Sequence, residues 1–100
     1  MFIFDAHVDT LSRLHSSGET LEDQSGHVCL DWLRNGHISA QVFAVFVDPV
    51  FYQGMALHRG LEMIDLFWNT IEDYSDYLGF AGSGTSIDEL YQEGRIACLL

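Results

Sequence analysis

Ile38-Ser39-Ala40-Gln41-Val42-Phe43-Ala44-Val45-Phe46-Val47 is the stretch that decides the fold class. Val42, Phe43, Val45, Phe46 and Val47 are β-branched or aromatic and suit a pleated strand. The run is nearly continuous rather than alternating, as expected of a strand buried on both faces in a parallel sheet covered by helices. Asp48-Pro49 closes it, because proline has no amide with which to extend a ladder.

Downstream, Leu57, Leu61, Ile64, Trp68, Ile71 and Leu78 recur at helical spacing and predict one long helix over Phe51–Leu78 with an apolar stripe. Glu62, Asp65, Asn69, Glu72 and Asp76 form the opposite, solvated stripe, and Gly79 is placed to stop the helix. Ser86 and Glu89 have capping-box spacing and start a short helix, Ile87–Gln92, ended by Gly94. Arg95-Ile96-Ala97-Cys98-Leu99-Leu100 is then a further apolar strand. Gly82-Ser83-Gly84-Thr85 lacks the lysine and full spacing of a phosphate-binding loop and reads as an ordinary turn.

Upstream, Phe2-Ile3-Phe4-Asp5 is a short apolar strand ending in charge, and Val8–His15 begins a helix. Residues Ser16–Gly26 are polar and loop-like, and Asp31–Gly36 is a helical turn stopped by Asn-Gly. Strands alternating with helices imply parallel pairing through crossovers, and so an α/β fold. Three such strands over residues 1–100 make a single, incomplete unit with bare edges, expected to self-associate through those edges or the apolar helix face.

Fifteen acidic residues stand against four arginines and no lysine, for a net charge of −11. That balance argues against nucleic acid or an anionic membrane as partner, since both need clustered cations. No basic, apolar leader precedes Asp5, and no run is long enough to span a membrane. Cys29 and Cys98 form no Cys-x-x-Cys pair and read as buried free thiols, which points to a cytoplasmic protein.

The residues with chemistry are Asp5-Ala6-His7-Val8-Asp9. On an extended segment alternate side chains project together, so His7 and Asp9 leave the first strand side by side. An imidazole nitrogen and a carboxylate oxygen suit a divalent ion such as zinc. The competing reading is that both side chains hydrogen-bond the following turn. Asp5 is either a strand-end residue or a partner orienting the histidine. His15, His27, His37 and His58 show no ligand spacing to one another.

Phe4-Asp5-Ala6-His7-Val8-Asp9-Thr10 resembles the opening motif of the renal (membrane) dipeptidase family, peptidase family M19. His27–Val47 resembles that family's stretch from a leucine-rich turn through Gly-x-x-x-x-Gln-Phe into strand two, and Ser86–Leu100 its segment with Gly-Lys-Ile-Ala before strand three. Arg95 replaces that lysine, and His37 follows Gly36 where a second glycine is frequent. The resemblance implies the N-terminal part of a (β/α)8 TIM-type metallohydrolase barrel. It implies a zinc-dependent dipeptidase in which a hydroxide bridging two zinc ions attacks a small dipeptide. Carried over by position, His7 and Asp9 bind one zinc. The bridging glutamate and two further histidines follow beyond Leu100 in the family's order, so the 100 residues alone are expected to be inactive and to hold at most a partial metal site.

Two other readings compete. Other amidohydrolase-like metal enzymes usually open with His-x-His, and Asp9 together with Gln41-Val42-Phe43 favours the dipeptidase. A non-enzymatic, self-associating barrel piece is the reading from a different class.

Overall fold

The computed structural model describes residues 1–100. In chain order the elements are β1 (Ile3–Val8), α1 (Thr10–Ser17), α2 (Leu30–Asn35), β2 (Ile38–Phe43), a 3-10 turn (Pro49–Phe51), α3 (Ala56–Asp73), β3 (Leu78–Phe80), α4 (Gly84–Gln92) and β4 (Ile96–Leu99). The strands form one sheet in the order β1-β2-β4-β3, with every neighbouring pair parallel. The fold is α/β, with parallel strands joined through helices, as the continuous apolar runs required.

Alternation along β4 divides the core between the two faces of the sheet. Ile96 and Cys98 join Val8, Phe43, Met63 and Phe67 in the larger cluster, which also takes Leu11 of α1 and Leu33 of α2. Ala97 points the other way and packs with Ala40, Ala81 and Leu90 of α4. Helices therefore cover both faces. α4 can lie this close because β3 carries a glycine: a methyl on Gly79 would fall 2.3 Å from Leu90 Cδ2.

Several expectations are corrected. β2 ends at Phe43, not Val47. Its ladder closes with Ala44 N–H on Val8 C=O, after which the chain leaves the sheet while Val45 and Val47 still pack on the core. The long helix begins at Ala56, because Pro49–Phe51 makes a separate turn and Gly54 adopts φ +87 just before it. It ends at Asp73, and Leu78-Gly79-Phe80 is a fourth strand rather than the end of the helix.

The buried face of α3 is also rotated from the predicted stripe. Met63 and Phe67 are its core residues, whereas Leu57, Leu61 and Trp68 are 76%, 57% and 44% exposed. The N-cap of α4 is Ser83, three residues before the serine expected. Its hydroxyl accepts from Ser86 N–H at 3.2 Å, and the Ser86 hydroxyl accepts from Ser83 N–H at 3.0 Å, so two serines form the reciprocal cap. No helix is long and apolar enough to cross a membrane.

Candidate functional site

β1 is irregular where its chemistry lies. Asp5 pairs with Gln41 and Val8 with Phe43, so three steps on β1 face two on β2 and one extra residue lies between. A bulge of this kind breaks simple alternation and re-aims the side chains around it. The Asp5 carboxylate accepts the His7 amide at 3.1 Å, fixing the bulged backbone rather than the imidazole. Asp5 is thus a backbone anchor.

His7 and Asp9 do meet, although not by strand alternation. Asp9 lies past the end of β1, at the N-cap of α1, with φ −92 and ψ 23 rather than extended angles. His7 Nε2 is 3.1 Å from Asp9 Oδ2, and their side chains are 65% and 53% exposed. An N-cap aspartate ordinarily accepts an amide of the first helical turn. Asp9 makes no such bond. Its carboxylate is turned to the imidazole, at the C-terminal end of a parallel strand, where α/β folds place their ligands.

The donor set, one imidazole nitrogen and one carboxylate oxygen facing solvent, fits part of a zinc site. No third histidine, cysteine, aspartate or glutamate joins them in a position to hold a metal ion. A catalytic zinc ordinarily takes three protein ligands, so the pair by itself does not complete a metal site.

Beside Asp9 lies a cleft of about 270 Å³ lined also by Thr10, Arg13, Gly26 and His27. Arg13 pairs with Glu19, donates to Ser25 Oγ at 3.0 Å and reaches Val28 C=O at 3.4 Å, which ties the polar loop after α1 to that helix. The Ser25 hydroxyl bond to Glu19, aided by Arg13, holds that carboxyl below its usual range. That His27 borders the site was not legible from spacing, because the loop's path depends on Arg13.

His15 and His58 also lack ligand spacing to each other, yet both reach one carboxylate. His15 Nε2 lies 2.6 Å from Glu62 Oε2, and His58 Nε2 lies 2.8 Å from Glu62 Oε1. The His58–Glu62 spacing of one helical turn was visible in the sequence. The approach of His15 from α1 was not. His37 lines a different cleft, at the N-terminal ends of the strands.

The sequence profile of the membrane dipeptidase family, peptidase family M19, matches residues 1–100. No curated protein matches the chain. Solved structures that share its fold include the following three. A metallopeptidase from Rhodobacter sphaeroides, solved with a phosphinate mimic of the dipeptide L-Ala-D-Ala, superposes with a TM-score of 0.83 at 17% identity, covering 98% of this chain and 36% of that one. Dipeptidase AC, a metallopeptidase of family M19, gives 0.80 at 19% identity, covering 98% and 33%. The probable dipeptidase PvdM from Pseudomonas aeruginosa gives 0.74 at 21% identity, covering 97% and 26%. The chain therefore spans between about a quarter and about a third of the length of these relatives. With the profile matching from the first residue to the last, the chain belongs to the membrane dipeptidase family and corresponds to its N-terminal portion.

Proposed function

We propose that the protein to which these residues belong is a zinc-dependent dipeptidase and that His7 and Asp9 are ligands to one of its metal ions. One observation carries the reading: Asp9 leaves its helix-capping position unused and holds its carboxylate 3.1 Å from His7 Nε2, in solvent. Family membership favours a dipeptidase over other metal hydrolases.

Zinc bound there would polarise the scissile carbonyl of a dipeptide and make water acidic near neutral pH. His7 would offer Nε2 as its neutral donor, with the ring proton on Nδ1, and Asp9 would offer Oδ2 as the anionic donor. Asp5, through the His7 amide, fixes the bulged backbone from which the imidazole projects. The remaining ligands and the residues that grip substrate come from elsewhere in the protein, and the 100 residues alone are expected to be silent on dipeptides.

Two subsidiary readings accompany this one. A reducing, cytoplasmic location is supported by Cys29 and Cys98, both buried and unpaired. Self-association is supported by the exposed Leu57, Leu61 and Trp68 on α3.

The decisive experiment is metal analysis and dipeptide hydrolysis with the full-length protein, native and with His7→Asn or Asp9→Asn. Loss of bound zinc and of activity in both variants is the expected result. Full zinc content and activity in either one would sink the assignment.

A further inference from the structure

We propose that a second site lies at the opposite end of the sheet, in a cleft that binds a small phosphate-bearing anion through Arg34, His37 and Arg95. The cleft, about 470 Å³, opens where β2 and β4 begin, between the C-terminal end of α2 and the turn that follows α4. His7 and Asp9 sit where β1 ends, so the two sites are separate. The second does not depend on the first.

Charge segregation is the first support. The chain has fifteen acidic residues and four arginines, yet two of those arginines and a histidine line this cleft, and no aspartate or glutamate does. Glu93 offsets Arg95 at 3.0 Å, which leaves Arg34 as the cleft's cation without an acidic partner.

Unused donors are the second. The Arg34 guanidinium lies 4.1 Å over the Tyr77 ring and makes neither a salt bridge nor a side-chain hydrogen bond. Stacking orients its plane and leaves its N–H edge free, the edge that grips phosphate in bidentate fashion. Arg95 is tethered, donating to Leu78 C=O at 2.7 Å and to Glu93 Oε2 at 3.0 Å, while its Nε is buried without a partner. Asn35 adds a side-chain amide to the lining.

Backbone strain is the third. His37 holds φ +56, the chain's one non-glycine residue at positive φ, in a turn where the residue type suited to the conformation is glycine. An imidazole is thus kept at the mouth of the cleft against local preference. The Arg34 guanidinium fork and the His37 ring N–H, one turn apart at the end of α2, match the several oxygens of a tetrahedral phosphate better than the two of a carboxylate.

The test is titration of the full-length protein, freed of metal, with inorganic phosphate, followed by calorimetry, alongside glycerol phosphate and acetate. Saturable phosphate binding is expected, weakened about tenfold in both Arg34→Gln and His37→Asn, each of which loses a charge-assisted contact. Arg34→Lys should recover part of the loss. Asparagine tolerates the left-handed conformation, so His37→Asn preserves the turn and decides the matter if Arg34→Gln fails to fold. Arg59→Gln, which removes a cation stacked on Phe51 away from the cleft, should bind as the native chain does. Glycerol phosphate binding as well as phosphate would identify the occupant as a phosphate group on a larger molecule, and binding of phosphate alone as the free ion. Either supports the site. No saturable binding, equal binding of acetate, or equal weakening by Arg59→Gln would overturn it.

Discussion

His15 Nε2 lies 2.6 Å from Glu62 Oε2, which joins α1 to α3. The His15 hydrogen bond, with the charges of His58, His15 and Arg59, holds the Glu62 carboxyl below its usual range. A carboxylate whose pKa is lowered on folding contributes stability above its unfolded value and loses it as pH falls through the folded value. The melting temperature of the native chain should therefore exceed that of Glu62→Gln by a constant margin at mildly acidic pH. The margin should close only below the usual carboxylate range. A gap unchanged down to about pH 3 would contradict the linkage.

Asp9→Ala should cost little stability. Removing an aspartate that caps a helix ordinarily costs about 1 kcal/mol, but Asp9 makes no capping bond, so the change should remain within about 0.5 kcal/mol by denaturant unfolding. A loss of full capping size would mean that the carboxylate serves the helix after all.

Gly79→Ala should destabilise the chain by about 1–3 kcal/mol, the usual range for overpacking. Its new methyl would meet Leu90 Cδ2 at 2.3 Å and Arg95 Nη2 at 3.0 Å. Leu90 is 7% exposed and cannot simply swing away. Adding Leu90→Ala to Gly79→Ala should recover part of the loss in a double-mutant cycle, because the clash is with that side chain.

Neither cysteine should react with a thiol reagent while the chain is folded. Both are buried, and burial pushes the Cys98 thiol up to about 12, leaving almost no thiolate at neutral pH. Labelling should be absent in buffer and complete in denaturant. Rapid native labelling of Cys98 would show that β4 opens readily.

Phe67→Ala should cost about 3–5 kcal/mol, as for other fully buried aromatic residues. Phe67 is 1% exposed and touches both Phe43 of the sheet and Trp68 beside it. Leu57→Ala, on the stripe that periodicity singled out, should be nearly neutral because Leu57 is 76% exposed. Chemical unfolding of the two variants distinguishes the buried face of α3 from its apolar but open face.

Periodicity and strand propensity made the parallel α/β pattern readable because β2 and β4 lie in strand-prone, largely apolar runs. They could not reveal β3. Leu78-Gly79-Phe80 is short, contains a helix stopper and owes its extended state to Ile96 and Cys98 on the neighbouring strand. Nor could they orient α3, since Leu57 and Leu61 are as apolar as Met63 and Phe67, and only packing against Phe43 decides which pair is buried. At the candidate site, His7 and Asp9 do come within 3.1 Å of each other, but not by the route their spacing suggested. A bulge and a helix cap, not strand alternation, place them.

The strand order has a consequence for assembly. β4 sits between β2 and β3, so the last strand in the chain is the only bridge linking the β1–β2 pair to β3. Without it, β3 has no neighbour in the sheet and Leu90 of α4 loses Ala97 from its packing cluster. Pairing of β3 into the sheet therefore requires Ile96–Leu99, although β1 and β2 pair without them.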